Sequence, residues 1–378
     1  MTERKVMTMG QFDDTYRKEV NSVAPYIQGE TEDEVRRKFH LDKVVKLGSN
    51  ENPYGPYYHA RKAILRSVED INRYPEDDFI NTKCVIANQF GLKADNVGLG
   101  SGAGNIIETI SKMFLNAGDE VLIAKQSYRL YREVSKLMGA KVIEIPLTKD
   151  YQFDLQTFNE KINDKTKLIW ICNPNNPTSA VTDPQALERF IADLPDHVWV
   201  VVDEAYADFA KPEHLPNLLQ FIGHKRVLIL RTMSKAYGLA GARLGFLLGE
   251  PTAIAAYDTV TEPFNSNRSV LAATIASFKY DQPQFKRALK RIWGDKVGLT
   301  ESLEILGCEV ARSDANFVFV KLPDGAPSAT EVTDGLMAQG VIVRDGTPWG
   351  YPDHIRVTIG KHDELEFFLE KFQTILNE

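Results

Sequence analysis

The chain has 378 residues, 43% of them hydrophobic and 26% charged, which is typical of a soluble globular protein large enough for two domains. Its formal net charge of −7 argues against nucleic acid or an anionic membrane as the main partner. No apolar stretch approaches the ~18 residues of a transmembrane helix, and the N-terminus lacks the apolar core of a signal peptide. Cys84, Cys172 and Cys308 have no metal-binding spacing, so we expect core cysteines in a reducing compartment, the cytoplasm.

The first two thirds of the chain alternate between apolar runs and helical stretches such as 106–115 and 127–138. The runs predict buried strands at 97–99, 120–124, 141–145, 168–172, 198–203, 227–231 and 244–248. This alternation predicts an α/β fold in which a large domain contains a mostly parallel, seven-stranded sheet.

The pattern changes after Asn267. Long helical stretches reach about Leu306, and a strand-rich tail follows around 316–321 and 355–358, which predicts a smaller α+β domain. We therefore divide the chain into a polar N-terminal segment, 1–45, a large domain, 46–267, and a small C-terminal domain, 268–378.

The glycine-rich segment GLGSGAG at 98–104 matches the dinucleotide fingerprint G-x-G-x-x-A. A dinucleotide site also needs an acidic residue at the end of the next strand, about 20 residues on, to bind a ribose. That strand ends here at Lys125, so the fingerprint fails. The better interpretation is that Gly102, Ala103 and Gly104 begin a helix whose free N–H groups bind a phosphate.

Polar residues follow two of the predicted strands. Asn176 stands in the turn NPNNP after strand 168–172, where X-Pro steps keep it out of the helical region. Asp203 ends strand 198–203, and Tyr206 follows three residues later. A carboxylate at such a place can hold a pyridine nitrogen protonated, while an amide and a hydroxyl can bond a ring oxygen. The alternatives are an ordinary Asn-Pro turn and a helix-capping aspartate, and each residue taken alone favours them.

Lys235 lies shortly after strand 227–231, at the carboxyl end where ligands bind in open α/β sheets. Thr232 and Ser234 offer hydroxyl groups, and Arg243, eight residues on, offers a guanidinium that suits a phosphate. An amine that can form an imine beside an anion site is what pyridoxal phosphate (PLP) requires. A lone lysine in a glycine-rich loop would more often be a surface residue. Here the nearby phosphate-binding candidates Thr232, Ser234 and Arg243 favour a lysine that binds the cofactor.

Asn176, Asp203 and Lys235, each at the end of a predicted parallel strand, together resemble the fold-type I PLP-dependent enzymes, and more narrowly the class I and II aminotransferases. Four motifs resemble the histidinol-phosphate aminotransferase branch: LGSNENPYGP at 47–56, SDANF at 313–317, GVIVRD at 340–345 and HIRVTIG at 354–360. The resemblance implies an aspartate aminotransferase-like fold and a homodimer that transfers an amino group from histidinol phosphate to 2-oxoglutarate. It also implies that residues 1–45 form an arm that packs on the small domain.

The resemblance assigns roles to further residues. Tyr128 corresponds to the aromatic residue that stacks on the cofactor ring, with a core tyrosine as an equal alternative. Tyr54 corresponds to a tyrosine that reaches the phosphate of the partner subunit's cofactor, and Tyr26 to an arm residue that closes over the substrate. Arg356 corresponds to the arginine that binds the α-carboxylate, and Arg344 to the one that binds a second anionic group. The alternative for Arg344 is a surface salt bridge.

The chain departs from the branch at three places. Gly104-Asn105 stands where an Asp-Glu pair is usual, Ser179 where glycine is usual, and Tyr57-Tyr58 where small residues are common. An aminotransferase for aromatic or other amino acids and a PLP-dependent decarboxylase on the same fold therefore stay open. A non-catalytic PLP-binding regulator would carry a DNA-binding module ahead of the cofactor domain. The first 45 residues are not basic, which argues against such a module.

Overall fold

The structure, a computed structural model, describes residues 15–24, 29–76 and 79–377. The strands of the described residues are β1 Val45–Lys46, β2 Val97–Gly100, β3 Glu120–Ala124, β4 Lys141–Ile145, β5 Thr166–Cys172, β6 Trp199–Asp203, β7 Val227–Thr232, β8 Gly245–Leu248, β9 Glu309–Val310, β10 Phe317–Lys321, β11 Val341–Ile342, β12 Arg344–Asp345 and β13 His354–Thr358. The α-helices are α1 Glu32–Phe39, α2 Tyr58–Ser67, α3 Ile80–Phe90, α4 Ala103–Phe114, α5 Leu130–Leu137, α6 Leu155–Lys161, α7 Pro184–Asp193, α8 Pro251–Val260, α9 Arg268–Tyr280, α10 Gln282–Ile305, α11 Ala329–Ala338 and α12 His362–Leu376.

The largest sheet has seven strands in the order β2-β8-β7-β6-β5-β3-β4. Strands β7, β6, β5, β3 and β4 pair in parallel, whereas β8 pairs antiparallel with both of its neighbours. Every residue of β6 and β8 is buried, as expected for strands covered on both faces. The predicted mostly parallel, seven-stranded sheet is confirmed, and each predicted strand lies within two residues of the observed bounds.

A second, antiparallel sheet has the order β12-β13-β10-β9 and lies within 268–378, the region predicted as a smaller α+β domain. Helices α9 and α10 occupy the predicted helical stretch. The division of the chain at residues 45 and 267 stays a prediction.

The N-terminal segment contacts both parts of the chain. Val35 of α1 packs on Ile342 of β11, beside the small sheet. Residues Lys18–Ser22, in contrast, lie against α5 beside the large sheet, where Arg17 donates to the Leu137 carbonyl at 2.7 Å. That residues 1–45 form an arm on the small domain stays a prediction.

Cys172 and Cys308 are buried, but Cys84 is exposed, so the prediction of a core position is wrong for Cys84. The helical period explains the error, because Thr82 and Ile86 are buried on α3 and position 84 lies about 200° around the helix from each. Within the described part of the chain, no helix is long and apolar enough to cross a membrane.

Candidate active site

The carboxyl ends of β5, β6 and β7 form the floor of the site. These strands are parallel neighbours, with Cys172 opposite Asp203 and Asp203 opposite Leu230. Asn176 and Lys235, on the turns that follow β5 and β7, therefore lie beside Asp203 at one edge of the sheet.

Lys235 is held in the site by burial and one hydrogen bond. Its Nζ donates to the Ser49 carbonyl at 3.0 Å and lies 5.7 Å from the centre of the Tyr206 ring. Burial lowers the pKa of the Lys235 amine to about 8, and the charge of Arg356 acts in the same direction. A larger fraction of this amine is therefore neutral and nucleophilic near neutral pH than for an ordinary lysine, as imine formation requires.

Asp203 is 3% exposed, and both of its carboxylate oxygens accept hydrogen bonds. Oδ1 accepts from the Ala205 amide at 3.0 Å, and Oδ2 accepts from the Tyr131 hydroxyl at 2.6 Å. Burial raises the pKa of the carboxyl to about 6, while the two hydrogen bonds lower it. The next helical segment is a short 3₁₀ turn, Ala207–Phe209, rather than an α-helix. Asp203 thus caps no α-helix, and its carboxylate retains acceptor capacity.

The Tyr206 hydroxyl and the Asn176 amide point to the same place. The hydroxyl accepts from Asn50 Nδ2 at 3.1 Å and from Asn176 Nδ2 at 3.5 Å. Arg356 donates to Asn176 Oδ1 and, at 2.6 Å, to the Gly48 carbonyl. The guanidinium therefore orients the Asn176 amide so that its NH₂ group faces the hydroxyl. Two groups that can bond a ring oxygen converge above the strand ends.

Two segments form a site that we call the anion cradle. It consists of residues 102–104 at the start of α4 and of Thr232, Ser234 and Arg243 at and after the end of β7. Gly102 is the N-cap of α4 with a φ of +82°, and Ala103 and Gly104 are the first helical residues. The N–H groups of Ala103 and Gly104 have no acceptors within the helix, whereas the Gly102 N–H, also predicted to be free, donates to the Gly100 carbonyl at 2.7 Å. A Cβ on Gly102 would overlap the Arg243 guanidinium, so the guanidinium lies directly against the helix start. Free amides, the helix dipole and a guanidinium together suit a phosphate.

Hydroxyl groups complete the anion cradle. Arg243 Nη1 donates to Ser234 Oγ at 3.4 Å, and Thr232 Oγ1 donates to Ser234 Oγ at 3.0 Å. Arg243 has a φ of +66°, in the left-handed region that favours glycine. Such strain in a non-glycine residue is common where a side chain is aimed at a ligand.

Arg344 and Arg356 stand directly opposite each other on the antiparallel strands β12 and β13. Opposed residues point to the same face of the sheet with Cβ atoms about 5 Å apart, so both arginine side chains extend from one face. The Arg356 guanidinium lies 5.3 Å from the centre of the Phe317 ring and 5.5 Å from that of the Trp349 ring, between two aromatic groups. This pair of cations suits a ligand with two anionic groups or a dianionic phosphate.

Two of the predicted tyrosines lie at the border of the site. The Tyr54 hydroxyl donates to Asp295 of α10 at 3.1 Å, and burial, followed by the Asp295 charge, raises the pKa of Tyr54 to about 12. Tyr128 presents its ring to the ring of Tyr131 edge to face, with the centres 5.6 Å apart. Tyr128 therefore contacts the tyrosine, Tyr131, whose hydroxyl donates to Asp203.

Tyr26 lies outside the described residues. Three residues further along the arm, Gly29 lies beside Arg344, because a Cβ on Gly29 would be 2.9 Å from Arg344 Nη1. The arm thus passes next to one of the two opposed arginines.

The segment 47–56 contributes more to the site than its motif alone indicated. Ser49 and Asn50 bond Lys235 and Tyr206, as described above. In addition, Asn52 Nδ2 and the Tyr57 hydroxyl each donate to the Ala236 carbonyl at 2.7 Å. Tyr57, a departure from the family pattern, therefore helps to hold the lysine segment in place.

The other departures are local. Ser179 has a φ of +61°, which explains why glycine is usual at this position. Asn105 Oδ1 accepts from the Ser101 amide at 3.1 Å at the start of α4. Sequence reasoning also missed Tyr131, although it follows Tyr128 by about one helical turn.

Known proteins resemble this chain along most of its length. The family model for class I and II aminotransferases matches residues 42–372. The histidinol-phosphate aminotransferase of Moorella thermoacetica is 36% identical over 362 residues, which cover 95% of this chain and 92% of that protein. The enzyme of the same name from Caldicellulosiruptor saccharolyticus is 36% identical over 354 residues, covering 93% and 98%.

Solved structures share the fold. The histidinol-phosphate aminotransferase of Sinorhizobium meliloti, solved in complex with pyridoxal-5'-phosphate, matches with a TM-score of 0.88 at 24% identity over 97% of this chain and 99% of that one. Aspartate aminotransferase of Thermus thermophilus with maleate matches with a TM-score of 0.81 at 21% identity over 96% and 99%. The predicted aspartate aminotransferase-like fold is confirmed.

Proposed function

Because the chain belongs to the class I and II aminotransferases and its cofactor is pyridoxal phosphate, we propose that it transfers the amino group of histidinol phosphate to 2-oxoglutarate, giving imidazole acetol phosphate and glutamate. The observation that carries this proposal is the buried Lys235 amine, which lies with Asp203 and the anion cradle at one edge of the sheet. The names of the relatives support histidinol phosphate as the amino substrate. The opposed Arg344 and Arg356 support anionic substrates.

The side chains present fit pyridoxal phosphate group by group. The anion cradle would hold the phosphate, and the Lys235 amine would bond the aldehyde carbon. Asp203 would accept a hydrogen bond from the protonated ring nitrogen, while Asn176 and Tyr206 would bond the phenolic oxygen. When bound, the cofactor supplies an electron-accepting ring that makes the proton on the substrate Cα removable.

Lys235 is the proposed proton carrier. Its Nζ would take the proton from the substrate Cα and, as a protonated amine, donate it back in the same site. A pKa of about 8 suits both directions, because the amine then gains and loses a proton easily near neutral pH. Arg356 would bind the anionic end of the substrate, and its bond to Asn176 would link substrate binding to the orientation of that amide.

The two arginines should differ in their effect on substrate choice. We expect Arg356→Ala to slow glutamate and histidinol phosphate alike, since both half-reactions use one site. We expect Arg344→Ala to slow these anionic substrates most and a neutral aromatic amino acid least. Each lost charge-assisted contact should cost on the order of 1.5–3 kcal/mol, about ten- to a hundredfold in kcat/KM. Single-turnover rates with each substrate would measure the effect.

Arg344→Lys is the matched control, because it keeps the charge but loses the planar fork, and it should recover part of the rate with anionic substrates. If Arg344→Ala slowed a neutral aromatic substrate as much as histidinol phosphate, Arg344 would have no role in substrate choice.

The proposed substrate is tested most directly by half-reactions. Holoenzyme is mixed with histidinol phosphate, glutamate and aromatic amino acids in turn, and the absorbance change of the cofactor is followed. The fastest transfer is expected with histidinol phosphate. A faster reaction with an aromatic amino acid would contradict histidinol phosphate as the substrate. Loss of carbon dioxide instead of amino transfer would contradict the proposed reaction.

We also propose a homodimer with shared sites and a cytoplasmic location. Four strongly exposed apolar side chains follow each other within ten residues, Leu65, Val68, Ile71 and Tyr74. The Tyr74 ring stacks on Phe264, also exposed, with the ring centres 4.5 Å apart. These exposed apolar side chains support a second copy of this chain as their occupant. The unpaired cysteines suit a reducing compartment.

Mixing two inactive variants tests whether sites are shared. If Tyr54 serves the partner's site, a heterodimer of Lys235→Ala and Tyr54→Ala chains has one doubly damaged site and one intact site. We expect activity to return towards a quarter of the wild-type value, since about half of the dimers are mixed and each has one working site. Sedimentation would check assembly. No recovery in proven heterodimers, or full activity of a monomer, would contradict the shared site.

A further inference from the structure

The Asp203 carboxylate accepts a hydrogen bond from Tyr131, a residue without a role in the proposed reaction. Tyr131 Oη donates to Asp203 Oδ2 at 2.6 Å, across 72 positions of the chain. Tyr131 is 1% exposed, and its ring stacks on Trp170 with the centres 4.8 Å apart and the planes inclined by 10°. The stacking fixes the direction of the hydroxyl, so the hydrogen bond belongs to the folded chain itself.

Both groups that donate hydrogen bonds to Asp203 are neutral. Its other oxygen accepts from the Ala205 amide, and within the described residues no basic side chain forms an ion pair with it. The nearby carboxylate of Glu204 is paired with Arg231 at 2.8 Å. A hydrogen bond to a carboxylate favours its charged form, whereas a cation bonded there would compete with a protonated ring nitrogen. Burial raises the pKa of Tyr131 well above its usual value, so its hydroxyl stays protonated as a donor.

We propose that Tyr131 is a positioning residue that keeps Asp203 ionised and turned towards the ring nitrogen of the cofactor. This inference rests on the proposed function, because it takes Asp203 to be the partner of that nitrogen. A neutral phenol stabilises the negative charge without cancelling it, so the full charge of the carboxylate is available to the ring.

The pH dependence has a definite sign. The Asp203 carboxyl, with its pKa near 6, is ionised above that pH and protonated below it. Since the Tyr131 hydrogen bond lowers this pKa, its removal should raise the pKa and extend the protonated form to higher pH. The other titratable or charged groups that face Asp203 are Cys172 on β5, Glu204 and Tyr206 after β6, and Lys235 after β7.

The test is Tyr131→Phe, which removes the hydroxyl and keeps the ring on Trp170. In protein free of cofactor, the infrared band of the protonated Asp203 carboxyl, identified by its loss in Asp203→Asn, should titrate about one pH unit higher than in wild type. In the holoenzyme, the acidic limb of the kcat profile should move up in the same sense, with KM changed less than about twofold.

Tyr257→Phe is the matched control, since it also removes one buried tyrosine hydrogen bond, to the Leu99 carbonyl at 2.9 Å, away from Asp203. It should leave the Asp203 titration unchanged. An unchanged titration in Tyr131→Phe, or an equal shift in Tyr257→Phe, would overturn the role of Tyr131.

A measurement on the unaltered chain covers the case in which Tyr131→Phe does not fold. The Tyr131 hydroxyl proton should give a slowly exchanging downfield NMR signal that moves as Asp203 titrates. An insensitive signal would count against the hydrogen bond. If Asp203→Asn is slow but Tyr131→Phe titrates normally, only the Tyr131 inference fails. A near-normal rate in Asp203→Asn would overturn both this inference and the proposed role of Asp203.

Discussion

Lys235→Ala should reduce turnover by about 10⁴-fold or more, the upper range for loss of a positioned acid–base group, because the same amine also bonds the cofactor. Wild-type protein reduced with borohydride in the presence of pyridoxal phosphate should carry the cofactor on Lys235, located by peptide mass spectrometry. Attachment should become faster as the pH rises through about 8, where the Lys235 amine loses its proton.

Lys296 provides a matched control for burial. Burial also lowers the pKa of Lys296 to about 8, but its Nζ donates to the carbonyls of Ser313 and Ala315 at 2.8 and 3.1 Å, outside the cradle and strand ends. Lys296→Ala should therefore keep the cofactor on Lys235. Transamination by Lys235→Ala at a normal rate without an added small amine would refute the assignment of Lys235.

Asp203→Asn should retain the cofactor but lose on the order of 3 kcal/mol in transition-state stabilisation, about a hundredfold in kcat. The cradle still binds the phosphate, whereas a neutral amide cannot hold the proton on the ring nitrogen. The dissociation constant of the cofactor and the single-turnover rate would separate the two effects.

Asp203→Glu is the informative companion to this variant. It keeps the charge, but the longer side chain cannot occupy the place between Tyr131 and Ala205 unchanged, so an intermediate rate is expected. If Asp203→Asn worked at a near-normal rate, the only role left to the Asp203 side chain would be to accept the Ala205 hydrogen bond in the turn after β6.

The local sequence was sufficient to predict the strands whose carboxyl ends carry the site residues. The apolar runs that end at Cys172, Asp203 and Arg231 are long and continuous enough to identify buried parallel strands. Parallel strands put their carboxyl ends at one edge, so Asn176, Asp203 and Lys235 were expected at that edge, whereas the pairing of β5 with β6 and of β6 with β7 makes them neighbours. The amphipathic period also predicted helical stretches at 106–115 and 127–138, where α4 and α5 lie, although it did not reveal that Cys84 faces solvent.

Only the tertiary structure decided which side chains touch each other across the site. Tyr131 reaches Asp203 across 72 positions, Asn50 reaches Tyr206 across 156, and Arg356 reaches Asn176 across 180. Periodicity and residue preference describe neighbours a few positions apart, whereas these hydrogen bonds depend on how helices and sheets pack. The sequence by itself therefore determined the sheet and the residues at its carboxyl edge. The protonation of Lys235 and Asp203 was decided by packing, because burial and specific partners set a pKa, and both arise only when distant segments come together.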